Sequence, residues 1–360
     1  MMRSSTFRYH AARDSHDAVS ALADGGPTAM LLAGGTDLVP NMKRRQQTPE
    51  LLISLRHVQE LRGIRVHEGE LVIGAATTLA DVVRDPAVRD GYPALFRAAA
   101  QVATPLIRNT ATIGGNLCLD TRCNYYNQNY DWRQAIDFCK KAPGPAAVAI
   151  PDVIDAGDGI CWVAPSSSRC WAVSSSDTAP ALIALGAQVT LLSRGGEREI
   201  PLEALYHDDG MRFLTRKPDE MLTSIRVPAG GAARSTYWKL RRRGAFDFPV
   251  VGVAASVMLG TGGVVEEARI VLGAVASRPI LLAESGMLLG KTLTDEVIEE
   301  FAEKASRFAK PLDNTDFHMT WRKAVTRTYL AGVLRQLRGD DPSTFGLLGR
   351  QASRPLHVTW

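Results

Sequence analysis

"LLAGGTDLVPNMK", residues 31–43, sets two glycines directly behind a short apolar run and ahead of a polar stretch. With the residues before it, "TAMLLAGG" reads as a buried strand running into a turn. Glycine at such a place lets the chain take positive φ and approach a ligand closely, so backbone amides can converge on a phosphate. The same pair is also the composition of a plain turn. No G-x-G-x-x-G opens a helix, which argues against a Rossmann dinucleotide site. A second glycine pair stands in "TATIGGN" (residues 110–116), with Thr112 and Asn116 as hydrogen-bonding neighbours. Two such turns in separate subdomains can grip both ends of one diphosphate.

Working outward, "TFRYH" reads as a short strand and "DSHDAVSALADGG" as a helix. Asp14 or Ser15 caps it, Ala18, Val19, Ala21 and Leu22 share one face, and Gly25 stops it. With the strand before the first glycine pair this makes a strand–helix–strand unit. A second region opens with "LLISL", and "GIRVH" and "ELVIG" follow as a hairpin-like pair around Glu68 and Gly69. Thr78 with Asp81 signals a helix cap, and "YPALFRAAAQVA" is a second helix. Further on, "APALIALGAQVTLLSRGGEREIP" reads as helix, strand, tight turn at Gly195-Gly196, and strand. "DEMLTSIRVP" closes that region and "AGGAARS" reads as a linker. Beyond it "TYWKLRR", "VVGVAASVML" and "ARIVLGAV" are strands, followed by helical patterns at roughly 280–289, 294–308 and 320–337. A tail from Arg338 shows no periodicity and is expected to be extended.

The chain has 360 residues, 45% hydrophobic and 22% charged, enough apolar surface for two or three cores. A formal net charge of +4 is small, and the dense basic run "KLRRRG" lies among strand-like sequence, so nucleic acid is not an expected partner. The first residues carry no apolar signal-peptide core, and the longest apolar stretch, residues 248–260, falls short of the roughly 20 residues of a membrane helix. A cytoplasmic protein without a membrane span is expected. In that reducing setting the five cysteines, all between residues 118 and 170, point to metal or redox chemistry rather than disulfides.

The two glycine stretches resemble the paired flavin loops of the medium, FAD-binding subunits of the xanthine dehydrogenase and carbon monoxide dehydrogenase family. "SSSDTAPALIALGA", "KPDEMLTSIRVP" and "YWKLRRRGAFDFPVVGVA" match later segments of that family in order. The resemblance implies an α+β oxidoreductase subunit whose two FAD-binding subdomains form a fold of the vanillyl-alcohol oxidase type. The boundaries expected are 1–55 and 56–228, with an insertion at 118–172, then a C-terminal sheet-and-helices domain at 232–337 and a tail at 338–360. By position, Leu32, Ala33, Gly34, Gly35, Thr36, Asp37 and Leu38 would wrap the FAD pyrophosphate through backbone N–H groups. Thr112, Gly115 and Asn116 would form a second grip. Asp177 would accept hydrogen bonds from the cofactor, Leu222 would pack against it, and Lys239 would lie near the flavin ring, where a cation favours the reduced anion. Without the resemblance, Asp177 could simply cap a helix and Lys239 could be a solvated strand residue.

The cysteines are spaced Cys118-x4-Cys123-x15-Cys139-x21-Cys161-x8-Cys170. The absence of any C-x-x-C argues against a zinc ribbon or a ferredoxin run. Iron–sulfur, zinc and free thiols all stay open on spacing alone. The insertion resembles that of the beta subunits of 4-hydroxybenzoyl-CoA reductases, which implies a [4Fe-4S] cluster on Cys123, Cys139, Cys161 and Cys170, with Cys118 a buried non-ligand. The loop around "APGPAAVAIPDVID" is longer than that resemblance leads one to expect. The function implied is electron transfer in a molybdenum-dependent reductase that removes an aromatic hydroxyl. Electrons from a ferredoxin-like donor would pass through [4Fe-4S] and FAD to a small [2Fe-2S] subunit and a molybdopterin large subunit, in a dimer of heterotrimers. The alternatives are another molybdenum hydroxylase, oxidising a purine, aldehyde or N-heterocycle, and a zinc-stabilised interaction module.

Overall fold

The computed structural model describes residues 3–142, 144, 159–230, 233–346 and 349. β1 (Arg8–Ala11), β2 (Ala29–Leu32) and β3 (Leu51–Ser54) form a parallel sheet in the order β1-β3-β2. Parallel strands of one sheet need a crossover, and the helix Ser15–Gly25 supplies it from β1 to β2, which flank β3. Asp14 caps that helix by accepting the Asp17 N–H, and the buried Ala18, Val19 and Leu22 meet Ile53 and Leu55. Gly26, at φ 57°, ends it one residue later than expected. β3 is the central strand, so "LLISL" completes the first subdomain rather than opening the second.

β4 (Ile64–His67), β5 (Glu70–Gly74), β6 (Gln188–Ser193), β7 (Gly196–Pro201) and β8 (Met221–Val227) form an antiparallel sheet ordered β4-β5-β8-β6-β7. Glu68 and Gly69, at φ 52° and 81°, make the two-residue turn of the first hairpin. Ser193 pairs with Gly196, so the other hairpin turns on Arg194 and Gly195. Leu71, Ile73 and Ile225 of the sheet share a core with Leu95 and Leu182 of the helices Pro93–Ala100 and Thr178–Ala184.

β9 (Arg234–Leu240), β10 (Val251–Leu259), β11 (Val265–Gly273) and β12 (Ile280–Leu281) make the third sheet, antiparallel in the order β12-β11-β10-β9. Strand alternation divides its residues between two cores. Trp238, Val253 and Leu272 face Tyr329, Leu330 and Leu334 of the helix Met319–Arg338, whereas Tyr237, Ala254 and Val271 join the core of the second subdomain. The expected helix at 280–289 is instead β12 and a 3-10 turn, Ala283–Leu288. The tail is not simply extended: Pro342–Thr344 is a 3-10 turn and Phe345 lies 6.3 Å from Trp238, while residues 350–360 fall outside the described part. Among the described residues no helix is long and apolar enough to cross a membrane.

Among its described residues the insertion holds one short helix, Tyr130–Ala135, and Cys123, Tyr126, Cys139, Cys170 and Ala172 form a small core with Met211. Polar contacts fix it to the first subdomain. The buried Arg133 donates to the carbonyls of Arg44 (2.8 Å) and Arg45 (2.9 Å), and the Gln46 amide donates to the Tyr126 carbonyl. Most of the long loop after Ala142 lies outside the described residues.

Candidate functional site

Where β2 ends, the chain runs along a cavity of about 320 Å³ between the first two subdomains. Leu32, Ala33, Gly34, Gly35, Thr36, Asp37 and Leu38 line one wall; Thr112, Gly115, Asn116, Asp177 and Leu222 belong to the other. The N–H groups of Gly34, Gly35, Thr36, Asp37 and Leu38 donate to no described residue. Backbone donors in folded proteins are almost always paired, so five adjacent free amides on a cavity wall form a cradle for an anion. Glycine is required here twice over. A Cβ on Gly34 would stand 2.1 Å from the Thr110 carbonyl oxygen, and Gly35 has φ +70°.

The second loop uses its backbone amides internally. "TIGGN" is a helical turn, Ile113–Leu117, capped by Thr112, whose hydroxyl accepts the Gly115 N–H at 3.1 Å. Ile113 donates to Thr77 O, Gly114 to Ala75 O and Asn116 to Thr112 O. These amides are therefore committed, and the loop offers a close-packed wall rather than a second set of backbone donors. The Asn116 side-chain oxygen is likewise held, by the hydroxyls of Ser176 (2.8 Å) and Thr178 (2.7 Å).

Asp177 precedes the helix Thr178–Ala184 without capping it through its side chain. Its carboxylate accepts from the Tyr237 hydroxyl (2.7 Å) and from Lys239 Nζ (2.8 Å). Lys239 has a fully buried side chain, donates also to Gln101 O at 3.0 Å, and is not on the cavity wall. It stands behind Asp177 and supplies that carboxylate with its counter-charge. Burial pushes both groups toward their neutral forms, raising Asp177 and lowering Lys239, and their pairing opposes both shifts.

Ser175 and Asp120 also line this cavity and escaped the sequence reading. The Ser175 hydroxyl is buried with no partner among the described residues, an orphan that a ligand on this wall would satisfy. Nothing in "SSSD" distinguishes it from its neighbouring serines. Asp37 is paired with Arg122, a buried residue of the insertion, which also lies 5.0 Å from the ring of Phe248 on the cavity wall.

Cys123, Cys139, Cys161 and Cys170, all buried, line one second, small cavity together with Tyr126 and Lys141. Burial pushes the Cys123 thiol up to about 11 and the Cys170 thiol up to about 12. Cys118 is not in this group; it is half-buried, not buried, and lies on the wall of the larger cavity. Among the described residues no group of three or more His, Cys, Asp or Glu side chains is arranged to hold a metal ion.

An amide cradle at one end of an inter-subdomain cavity, with a carboxylate on the facing wall, defines a binding site for a diphosphate-containing cofactor. Residues 5–230 match the family model described as FAD binding domain in molybdopterin dehydrogenase, and residues 235–337 match the CO dehydrogenase flavoprotein C-terminal domain. The chain is 30% identical to the carbon monoxide dehydrogenase medium chain of Hydrogenophaga pseudoflava, over 98% of this chain and 97% of that one. It is 33% identical to the aldehyde oxidoreductase FAD-binding subunit PaoB of Escherichia coli, over 70% of this chain and 76% of that one. A structure of the Hydrogenophaga pseudoflava carbon monoxide dehydrogenase superposes with a TM-score of 0.74 at 28% identity, covering 93% of this chain and 98% of that one. The chain belongs to the family of FAD-binding medium subunits of molybdenum hydroxylases and is an oxidoreductase subunit. The cavity fits FAD: free amides for the diphosphate, an orphan hydroxyl at Ser175, a carboxylate at Asp177 and an apolar face at Leu222.

Proposed function

We propose that this chain is the FAD- and [4Fe-4S]-carrying electron-transfer subunit of a molybdenum-dependent reductase of the 4-hydroxybenzoyl-CoA type. The observation that carries this reading is the convergence of four buried cysteines of the insertion on one cavity, next to the flavin cavity. A [4Fe-4S] cluster takes four thiolate ligands, and four cysteines line this one cavity. When bound, the flavin supplies one- or two-electron exchange and the cluster one-electron exchange.

This chain's own residues would hold both groups and keep water from them. The amides of residues 34–38 meet the diphosphate, Ser175 and Asp177 offer hydrogen bonds, and Cys123, Cys139, Cys161 and Cys170 serve as iron ligands. Under this reading the bond-breaking chemistry lies on a molybdopterin-containing large subunit, reached through a small [2Fe-2S] subunit, and a ferredoxin-like protein is the donor. Terms such as "medium chain" and "FAD-binding subunit" in the relatives' names support such an assembly. Those same names, which include carbon monoxide dehydrogenase, nicotinate dehydrogenase and aldehyde oxidoreductase, favour a second reading in which electrons run outward from an oxidised substrate.

The test is iron, sulfide and flavin analysis of anaerobically purified protein, with its visible spectrum. The proposal expects iron in wild type, and Cys139→Ser retaining flavin but losing iron. Full iron content in that variant overturns the cluster. Reduction of the bound flavin by a low-potential ferredoxin separates the reductase reading from the dehydrogenase one.

A further inference from the structure

Side chains in direct contact join the two cavities. Asp120 and Phe213 line the flavin cavity; Lys141 and Tyr126 line the cysteine cavity. Lys141 Nζ donates to Asp120 Oδ1 at 2.6 Å, to Thr121 Oγ1 at 2.5 Å and to the Gly210 carbonyl at 2.6 Å. The Tyr126 hydroxyl donates to the other carboxylate oxygen of Asp120 at 2.7 Å. The ammonium also lies 4.9 Å from the Tyr126 ring centroid and 5.2 Å from that of Phe213. Both charged side chains are almost wholly buried, 6% and 5% exposed. Solvent therefore screens this pair weakly.

The pair has a direction. Its anion belongs to the wall of the flavin cavity and its cation to the wall of the cysteine cavity. Lys141 lines the same small cavity as Cys123, Cys139, Cys161 and Cys170, so its ammonium stands beside whatever those thiolates hold. A cation beside a redox centre favours its reduced, more negative form, and an anion disfavours it.

We propose that the Asp120–Lys141 pair is an oriented charge couple that sets the potential difference between the two sites, raising that of the cysteine-held centre and lowering that of the flavin. This rests on the cluster assignment for its cysteine arm, while the flavin arm stands on the family assignment alone. The pair itself neither gains nor loses an electron or a proton; it weights how one electron divides between the two occupants. Asp120 and Lys141 are positioning residues in this sense, not catalytic ones.

The experiment is a redox titration of the full chain, purified anaerobically with its bound cofactors. The flavin is followed by absorbance and the cluster by its electron paramagnetic resonance signal. Asp120→Asn/Lys141→Gln removes both charges while keeping similar shapes and hydrogen-bonding groups, so neither charge is left buried alone. In it the cluster becomes about tenfold harder to reduce at fixed potential, a fall of ~59 mV for one electron, and the flavin becomes easier to reduce. Lys141→Gln alone lowers both potentials and Asp120→Asn alone raises both, where these variants fold. Wild-type protein that holds flavin but no iron overturns the cluster reading and the cysteine arm together, and the flavin arm is then judged alone. Variants that hold wild-type cofactors at unchanged potentials, or shift both sites in the same sense in the double variant, overturn the inference and leave the cluster reading intact. Loss of cofactor or of thermal stability without a potential shift assigns the pair a purely structural role and also overturns it.

Discussion

Replacing Gly34 by alanine tests the amide cradle most directly. The added methyl would stand 2.1 Å from the Thr110 carbonyl oxygen, 2.9 Å from its carbon and 3.0 Å from the Ala111 Cα, all backbone atoms. No rotamer relieves that contact, so the two loops that face each other across the cavity must move apart. Overpacking of this kind costs about 1–3 kcal/mol. In flavin-free protein the loops can separate and release part of the strain, whereas a bound cofactor requires them together. The cost then falls on affinity, roughly 5- to 150-fold weaker binding at ~1.4 kcal/mol per tenfold. The assay is titration of deflavinated protein with FAD, followed by flavin fluorescence, with thermal unfolding in parallel. Gly91→Ala is the control, because a Cβ there meets nothing within 4 Å. If Gly34→Ala binds FAD within about twofold of wild type and unfolds at the same temperature, the close-approach argument is wrong.

Two further outcomes follow from buried charge. Asp177→Asn leaves the fully buried Lys239 without its counter-charge and is expected to cost about 3–5 kcal/mol in urea unfolding, while Asp177→Asn/Lys239→Met regains much of it. A double variant no more stable than the single one would refute the counter-charge role. Burial alone would raise Glu220, but the Arg198 guanidinium (2.7 and 2.8 Å) and the Lys217 amide (2.7 Å) outweigh it and hold the carboxyl below its ordinary value of 4.5. Its stabilising contribution is thus present above about pH 4.5 and lost as pH falls through the depressed folded value. Melting temperatures measured between about pH 5 and pH 3 should fall less steeply for Glu220→Gln than for wild type.

Much of this architecture is legible in the residues because short-range rules decide it. Asp14 and Thr78 announce their helices through caps, and Glu68-Gly69 is a hairpin turn on φ grounds alone. Gly34 and Gly35 mark the cradle because no other residue tolerates that approach and that φ. What the sequence hides is who uses up a donor. "TIGGN" has the composition of a second cradle, yet Ala75, Thr77 and the Thr112 hydroxyl take its amides, and that sharing is a tertiary fact. Lys239 sits at an inward position of β9, but only the packed fold shows Asp177 between it and the cavity. Asp120 and Lys141 stand 21 residues apart in the insertion, and only the fold shows them paired and buried.

The insertion's seam with the first subdomain bears on how such a unit can be moved between proteins. Arg133 spends its guanidinium on two carbonyls of the Arg44–Arg45 bend, Gln46 reaches back to Tyr126, and Arg122 ties Asp37 from the opposite side. A sibling flavoprotein given only the four thiols and their loop would bury two guanidinium groups, those of Arg133 and Arg122, against a host that never evolved to receive them, and would lack the amide that Gln46 supplies to Tyr126. Grafting would succeed only if the recipient's own bend and loop were recut to match, so the ligand-bearing segment and its docking face form one heritable module.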